Sequence, residues 1–129
     1  MQKIELALAK VETALIALEK SCLAPMDKER FVIDSAIRRF EFTFELFWKT
    51  LKIILNSQGV DAQFPKVVLL EAYQGKLIND EPVWLSILKD RNLSSHSYNK
   101  DLADEIYIRI KTYVPVLKTT LAHLKTVKS

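Results

Sequence analysis

Four side chains suited to proton transfer or anion binding lie close together near the middle of this 129-residue chain. Residues 91 to 99 read RNLSSHSYN, which brings together Arg91, Asn92, His96 and Tyr98. An imidazole exchanges a proton near neutral pH, and a guanidinium can hold an anionic oxygen pair with two hydrogen bonds. The segment is therefore the first candidate for a functional site.

A purely structural interpretation competes with this one. Asn92, Ser94, Ser95 and Asn99 are typical of a polar helix end and turn, in which His96 would be a bystander. Arginine and histidine also occur at this spacing by chance, so spacing alone favours the structural interpretation. A serine nucleophile beside His96 is a weaker alternative, because no orienting acid or oxyanion arrangement can be identified.

The helix that precedes the segment determines where these side chains point. Leu85 and Leu88 predict an inward ridge, and steps of four continue that ridge to Asn92 and His96. An amide and an imidazole on a buried ridge cost free energy unless they find partners. We therefore expect this end of the ridge to meet water, a ligand or a second chain. Arg91 lies about 140° around an ideal helix from His96, within reach of its long side chain.

Helical spacing of apolar residues extends through nearly the whole chain and predicts an all-α fold. The predicted boundaries are a stop near Ala24-Pro25, an N-cap at Asp27, a stop after Ser57 at Gln58-Gly59, a short helix from Pro65 to about Gly75, a start at residues 79 to 82, and a last start at residues 99 to 101. These elements predict an antiparallel up-down four-helix bundle with one short extra helix, in a single domain over residues 1–129.

The second helix carries more apolar width than a surface helix of a small bundle needs. Phe42 and Leu46 lie on one flank of its main stripe, and Trp48 and Leu55 lie on the other. This helix is therefore either central or in contact with another subunit. It also carries a charged stripe, for which a ladder of solvated ion pairs is the default interpretation: Asp34, Arg38, Glu41, Glu45, Lys49 and Lys52.

Several classes of protein are excluded by composition. Cys22 is the only cysteine, which precludes an intramolecular disulfide and is typical of a reducing compartment. The chain has no signal-peptide pattern at its start and no apolar run that could span a bilayer, so we expect a cytoplasmic protein. His96, His123 and one distant cysteine form no zinc pattern, and two isolated glycines form no phosphate loop, so we expect neither a metal nor a cofactor.

The distribution of charge leaves attraction to RNA open. The net charge is only +3, too small by itself to indicate a nucleic-acid binder. After Glu105 the chain has no acids and has five cations, Arg109, Lys111, Lys118, Lys125 and Lys128. Complementing a helix C-terminus is the simpler explanation, and binding of RNA is the alternative.

The segment RNLSSHSY resembles the R-x4-H-x-Y motif of the HEPN domain family, whose members are small helical bundles and often metal-independent ribonucleases. The rest of the chain is similar to one branch, the nucleotidyltransferase substrate-binding family, which supplies the partner of a separately encoded minimal nucleotidyltransferase. The matching segments cover roughly residues 38 to 110: RRFEFTFELFWKTLK at 38 to 52, AYQGKLI at 72 to 78, Trp84 with the LSILKDRN that follows it, and HSYN.

The resemblance implies roles for individual residues. Arg91 and His96 correspond to the motif pair of the family, Asn92 to the polar position after the arginine, and Tyr98 to the motif tyrosine. In related toxin–antitoxin pairs, the partner nucleotidyltransferase attaches AMP to this tyrosine and so silences the toxin. Family members commonly pair through the helices that carry the motif, which implies a homodimer.

For RNA cleavage, His96 would act as base or acid, Arg91 would hold the phosphate, and Asn92 would orient the imidazole or a group of the RNA. One imidazole cannot fill both proton-transfer roles at once, so a two-fold dimer with a shared cleft is expected. Glu45 and Ser95 are further candidates for ligand binding there. The alternative function is a non-catalytic module that holds a nucleotide or other substrate for the partner, or a plain helical adaptor.

Overall fold

The computed structural model describes residues 2–127, and within that range the regular elements are all helical. They are α1 (Gln2–Leu23), α2 (Phe31–Ser57), α3 (Pro65–Gln74), α4 (Glu81–Leu93) and α5 (Lys100–Leu124), with a 3₁₀ turn, Ser94–His96, between α4 and α5. The predicted all-α class is confirmed, and α3 is the short extra helix. No helix within residues 2–127 has both the length and the apolar character needed to cross a bilayer.

Most helix ends lie where local signals predict them. α1 ends just before the Ala24-Pro25 pair, and α3 begins with its proline in the first turn. The Asp80 carboxylate accepts a hydrogen bond from an amide in the first turn of α4. The Asn99 side chain accepts one from the Leu102 amide at 3.1 Å and so caps α5.

The start of α2 differs from the prediction of an N-cap at Asp27. The helix begins at Phe31, after Arg30 in the left-handed conformation with φ of 62°. The Asp27 carboxylate still accepts hydrogen bonds from the amides of Phe31 and Val32, at 3.0 and 2.9 Å. The bond from Val32 is the main reason that the pKa of Asp27 is lowered. Arg30 also pairs with Asp104 of α5, a distant contact that the local sequence does not reveal.

α2 occupies the centre of the bundle and contacts each of the other four helices. Phe40 stacks on Tyr113 of α5 with ring centroids 6.0 Å apart, and Phe47 meets the indole of Trp84 in α4 edge to face at 5.4 Å. These large aromatic contacts position α4 and α5 against one face of α2. The opposite flank is less covered, since Phe42 is 61% exposed.

The inward ridge of α4 is not the predicted one. Leu85 and Leu88 are only half-buried, and Asn92 and His96 are exposed. The indole of Trp84 fills the space against α2 and so turns the helix away from the predicted register. The buried positions of α4 and the following turn are Trp84, Ile87, Asp90 and Ser94. The predicted change from apolar to polar therefore does occur on the buried face, but at different residues.

A buried carboxylate joins α4 to α5. Asp90 is only 3% exposed, and Arg109 donates to it from Nε and Nη2, both at 2.8 Å. The Tyr113 hydroxyl donates a third hydrogen bond. Burial, followed by this hydrogen bond, raises the pKa of Tyr113 far above its ordinary value, so its hydroxyl remains a donor. Three donors compensate the removal of the Asp90 charge from water.

The cations of α5 and the residues after it are largely paired with acids of other helices. Lys118 Nζ lies 2.9 Å from Glu19 Oε2, and Lys125 Nζ lies 2.7 Å from Glu12 Oε2, so both pairs connect to α1. Lys128 lies outside the described residues. These contacts favour charge complementation between helices over attraction of RNA as the role of the basic stretch.

Candidate functional site

The segment 91–99 comprises the last turn of α4, the 3₁₀ turn and the cap of α5. The Ser97 amide donates to the Ser94 carbonyl at 3.1 Å, and the Asn99 amide donates to the His96 carbonyl at 3.0 Å. The helices on both sides are held together by the hydrogen bonds of Asp90. The turn is thus fixed at both ends, and its side chains have defined directions.

Arg91 points toward α2 and lies between two of its carboxylates. Its Nη1 is 3.6 Å from Glu41 Oε2, and its Nε is 3.5 Å from Glu45 Oε1. The second contact lacks hydrogen-bond geometry, so Nε is buried without a hydrogen-bond partner. Leaving a buried N–H unsatisfied costs about 1–3 kcal/mol. The guanidinium therefore has unused capacity for a better placed acceptor.

The two carboxylates that face Arg91 belong to a larger network. The Ser94 hydroxyl contacts Glu41 Oε2 and the Arg91 carbonyl oxygen. The Trp48 indole N–H donates to Glu45 Oε2 at 3.2 Å. The predicted ladder of solvated ion pairs on α2 is present at Glu45, which pairs with Lys49 at 3.9 Å, whereas Glu41 contacts Arg91 and Ser94 outside α2. Sequence reasoning selected Glu45 but missed Glu41, Ser94 and Trp48 as parts of the site.

His96 and Tyr98 form a second network on the exposed side of the turn. His96 Nδ1 lies 3.1 Å from the Tyr98 hydroxyl oxygen, within hydrogen-bond distance. The two rings meet edge to face, with centroids 5.8 Å apart and planes at 76°. Tyr98 is 84% exposed. The pair presents an imidazole and a phenol to any molecule that approaches the turn.

The structure thus brings together two pairs of predicted site residues, Arg91 with Glu45 and His96 with Tyr98. No hydrogen bond joins Arg91 to His96 within the part of the chain that the structure describes. The expected convergence of guanidinium and imidazole is therefore not made inside one chain. One network can bind an anion and the other can exchange a proton.

Asn92 and Ser95 belong to neither pair. Asn92 lines an open pocket of about 320 Å³ together with Lys66 of α3. The Ser95 hydroxyl donates to the Asn92 carbonyl at 3.1 Å, a local bond that closes the helix end. Among residues 2–127, no three His, Cys, Asp or Glu side chains lie together in a way that could hold a metal ion.

An apolar groove lies between α1 and α2. It has a volume of about 770 Å³, and its lining includes Leu6, Phe42 and Leu46, with Arg38 at its edge. Leu6 is 58% exposed and Phe42 is 61% exposed. Clustered exposed apolar side chains of this kind mark contact surfaces.

Comparison with protein families gives a match over nearly the whole chain. Residues 6–126 match the family described as Nucleotidyltransferase substrate binding protein like. A Haemophilus influenzae (strain Rd) protein named "Probable ribonuclease HepT" is 29% identical over 129 residues, and the alignment covers 88% of each chain.

Two solved structures are also similar. A crystal structure of a Thermus thermophilus protein matches with a TM-score of 0.82 at 33% identity, covering 89% of this chain and 98% of that one. A Haemophilus influenzae structure, described as revealing the fold of a substrate binding domain of a nucleotidyltransferase, matches with a TM-score of 0.70. It is 24% identical and covers 97% of this chain and 98% of that one, so it shows a shared fold.

We expect the ion pairs of Arg91 to be weak enough for a ligand to displace. Partly exposed ion pairs contribute about 0.2–1 kcal/mol. A double-mutant cycle with Glu41→Gln and Arg91→Gln, measured by urea unfolding, should therefore give a coupling free energy below about 1 kcal/mol.

The control is the pair formed by the buried Asp90, the residue that precedes Arg91 in α4, with Arg109. A cycle with Asp90→Asn and Arg109→Gln should give a larger coupling, about 3 kcal/mol, because that carboxylate is removed from water. If the Glu41–Arg91 coupling equals this control, Arg91 is a structural clamp between α2 and α4 and is not available to a ligand.

Proposed function

Because the chain belongs to the Nucleotidyltransferase substrate binding protein like family, as its sequence predicts, we propose that it is the partner subunit of a separately encoded minimal nucleotidyltransferase. The relative named as a ribonuclease supports a second part of the proposal, metal-independent cleavage of RNA. The observation that carries this part is the turn after α4, which places the exposed His96–Tyr98 pair five residues beyond the incompletely bonded Arg91 guanidinium.

The ribonuclease proposal assigns proton transfer to His96 and phosphate binding to Arg91. Cleavage without a metal needs a base that removes the proton of the RNA 2′-hydroxyl and an acid that protonates the leaving 5′-oxygen. It also needs a cation near the charge that develops on the phosphate. The exposure of His96 supports the first role. The unused donor on Arg91 Nε supports the phosphate-binding role.

A second copy of the chain would supply what one copy lacks. One imidazole cannot act as base and acid in the same step, and no hydrogen bond joins His96 to Arg91 within residues 2–127. We therefore propose a two-fold homodimer that unites two motifs in one cleft. The groove between α1 and α2, with its exposed Leu6 and Phe42, is the surface that a second copy would cover.

Modification of Tyr98 is the proposed means of control. Its hydroxyl is accessible, since the side chain is 84% exposed. An AMP group on the phenol would add a negative charge and a bulky base beside His96, which would repel and obstruct an RNA phosphate. The two genes would then form a toxin–antitoxin pair that acts in the cytoplasm, where ATP and RNA are available.

One observation favours a second candidate function, that of a non-catalytic binding module. Arg91 pairs with Glu41 and Glu45 and makes no hydrogen bond to His96 within residues 2–127. In that case the same surface would hold a nucleotide or another substrate for the partner enzyme. The chain would then leave RNA intact and change how the partner handles its nucleotide.

We expect His96→Ala and Arg91→Ala each to reduce cleavage of a fluorogenic oligoribonucleotide, assayed in EDTA, by about 100-fold or more, because acid–base and electrostatic contributions are of this size. The control is His123→Ala, since His123 contacts the Lys76 carbonyl and lies outside the motif. Far-ultraviolet circular dichroism should show intact helices in all variants. If the wild type and both motif variants cleave RNA equally, Arg91 and His96 are not the ribonuclease site. If the wild type leaves RNA intact, the result favours the non-catalytic binding module.

Incubation with the co-encoded nucleotidyltransferase and ATP should add AMP to the peptide that carries Tyr98, as measured by mass spectrometry. Tyr98→Phe should abolish the addition because it removes the acceptor hydroxyl. Tyr73→Phe is the matched control, since Tyr73 is also exposed, at 43%, and should leave the modification unchanged. An AMP adduct that persists in Tyr98→Phe would refute the assignment of the acceptor.

Phe42→Glu should convert the dimer to monomers in sedimentation experiments, because a buried carboxylate on an apolar contact surface is strongly unfavourable. It should also abolish RNA cleavage without unfolding the chain. Phe31→Glu is the control, since Phe31 is another exposed aromatic residue of α2, at 67%, and does not line the groove. A monomeric wild-type chain with full ribonuclease activity would contradict the proposed dimer.

A further inference from the structure

The contact between His96 and Tyr98 points to a further role for the imidazole. We propose that His96 is the general base for the nucleotidylation of Tyr98, so that this chain supplies a catalytic residue for its own modification. The proposal rests on the proposed function, in which Tyr98 accepts AMP from the partner. The geometric basis is the 3.1 Å separation between His96 Nδ1 and the Tyr98 hydroxyl oxygen.

Among the four tyrosines of the chain, Tyr98 combines an exposed hydroxyl with an adjacent imidazole. Tyr113 is buried, its hydroxyl donates to Asp90, and burial raises its pKa. Tyr107 is buried as well. Tyr73 is 43% exposed, but neither imidazole of the chain is hydrogen-bonded to it within residues 2–127. A phenol is a weak nucleophile at neutral pH, so an adjacent base distinguishes Tyr98 from the other three.

The turn holds the two groups together. They are separated by one residue, and backbone hydrogen bonds from Ser97 to Ser94 and from Asn99 to His96 close the chain on both sides. The edge-to-face packing of the rings further limits their relative motion. The phenol and its base are therefore positioned before the partner binds, which lowers the entropic part of the barrier.

In the proposed step, the phenol oxygen attacks the α-phosphorus of a nucleoside triphosphate that the partner holds. The phenol O–H bond breaks, and its proton passes to His96 Nδ1. The neutral imidazole therefore carries its own proton on Nε2 beforehand. A bond forms between the phenol oxygen and the α-phosphorus while the bond from that phosphorus to the bridging oxygen breaks, and pyrophosphate leaves.

The product places a phosphodiester anion beside an imidazolium. Opposite charges at this distance attract, so the cation on His96 stabilises the new anion on Tyr98. The same imidazole is the group assigned to proton transfer in RNA cleavage. Modification would therefore silence the ribonuclease by engaging its proton-transfer group directly, in addition to obstructing the RNA.

The test is the initial rate of AMP transfer to Tyr98, measured by intact-protein mass spectrometry with the co-encoded nucleotidyltransferase and ATP. His96→Ala and His96→Gln should each slow the transfer by about 100-fold or more, the usual contribution of a general base. Because the site is exposed, free imidazole should restore part of the rate to His96→Ala and none to Tyr98→Phe. His123→Ala should react at the wild-type rate, and all His96 variants should bind the partner with wild-type affinity.

Three outcomes would overturn the inference, and they differ from one another. If both His96 variants accept AMP at the wild-type rate, His96 is not the general base, although Tyr98 remains the acceptor. His96→Ala could instead transfer AMP slowly without rescue by imidazole and bind the partner more weakly by a similar factor. That result would show that His96 contacts the partner and does not act as the base. Wild-type protein that gains no AMP at Tyr98 would overturn the proposed acceptor and the base together.

Discussion

The buried carboxylate of Asp90, together with the Trp84 indole, fixes how α4 is rotated, and the placement of the candidate site follows from that rotation. Arg109 and Tyr113 of α5 supply three hydrogen bonds to this one side chain. A carboxylate buried without these donors would cost several kcal/mol, so other rotations of α4 are strongly disfavoured. Successive side chains are 100° apart around a helix. With Asp90 facing α5, Arg91 faces the carboxylates of α2 and Asn92 faces outward.

This arrangement separates a half-buried cation from an exposed proton-transfer pair. Arg91 lies between Glu41 and Glu45, whose carboxylates offset its charge. An arginine whose N–H groups all have acceptors would form few new hydrogen bonds with a phosphate. Arg91 Nε, however, lacks an acceptor with good geometry. Exchange of a carboxylate for a bidentate phosphate would therefore complete its hydrogen bonds. If Arg91 binds a phosphate as proposed, the phosphate must displace at least one of these two carboxylates.

Signals that act within one helical turn were readable from the sequence, whereas contacts between helices were not. The starts of α3 at Pro65 and of α4 within residues 79 to 82 depend on neighbouring residues alone, and the sequence predicts both. The buried face of α4 depends on Trp84 meeting Phe47 of another helix, so extrapolation from Leu85 selected the wrong ridge. The same distinction between local signals and contacts between helices applies to the site residues. The family motif identified Arg91, His96 and Tyr98 by type, but Glu41 and Trp48 carry no local signal that links them to the motif.

Only one residue separates His96 from Tyr98, so the proposed modification of Tyr98 would directly affect the imidazole proposed to cleave RNA. The influence of a covalently added charge falls with distance and is screened by salt, so a modified tyrosine on another face would leave the imidazole largely unchanged. At hydrogen-bond distance, the added phosphodiester would interact directly with the imidazole and stabilise its cationic form. An imidazolium cannot remove a proton from a 2′-hydroxyl. In the proposed scheme, a covalent change at the exposed Tyr98 hydroxyl would thus stop RNA cleavage without any rearrangement of the bundle.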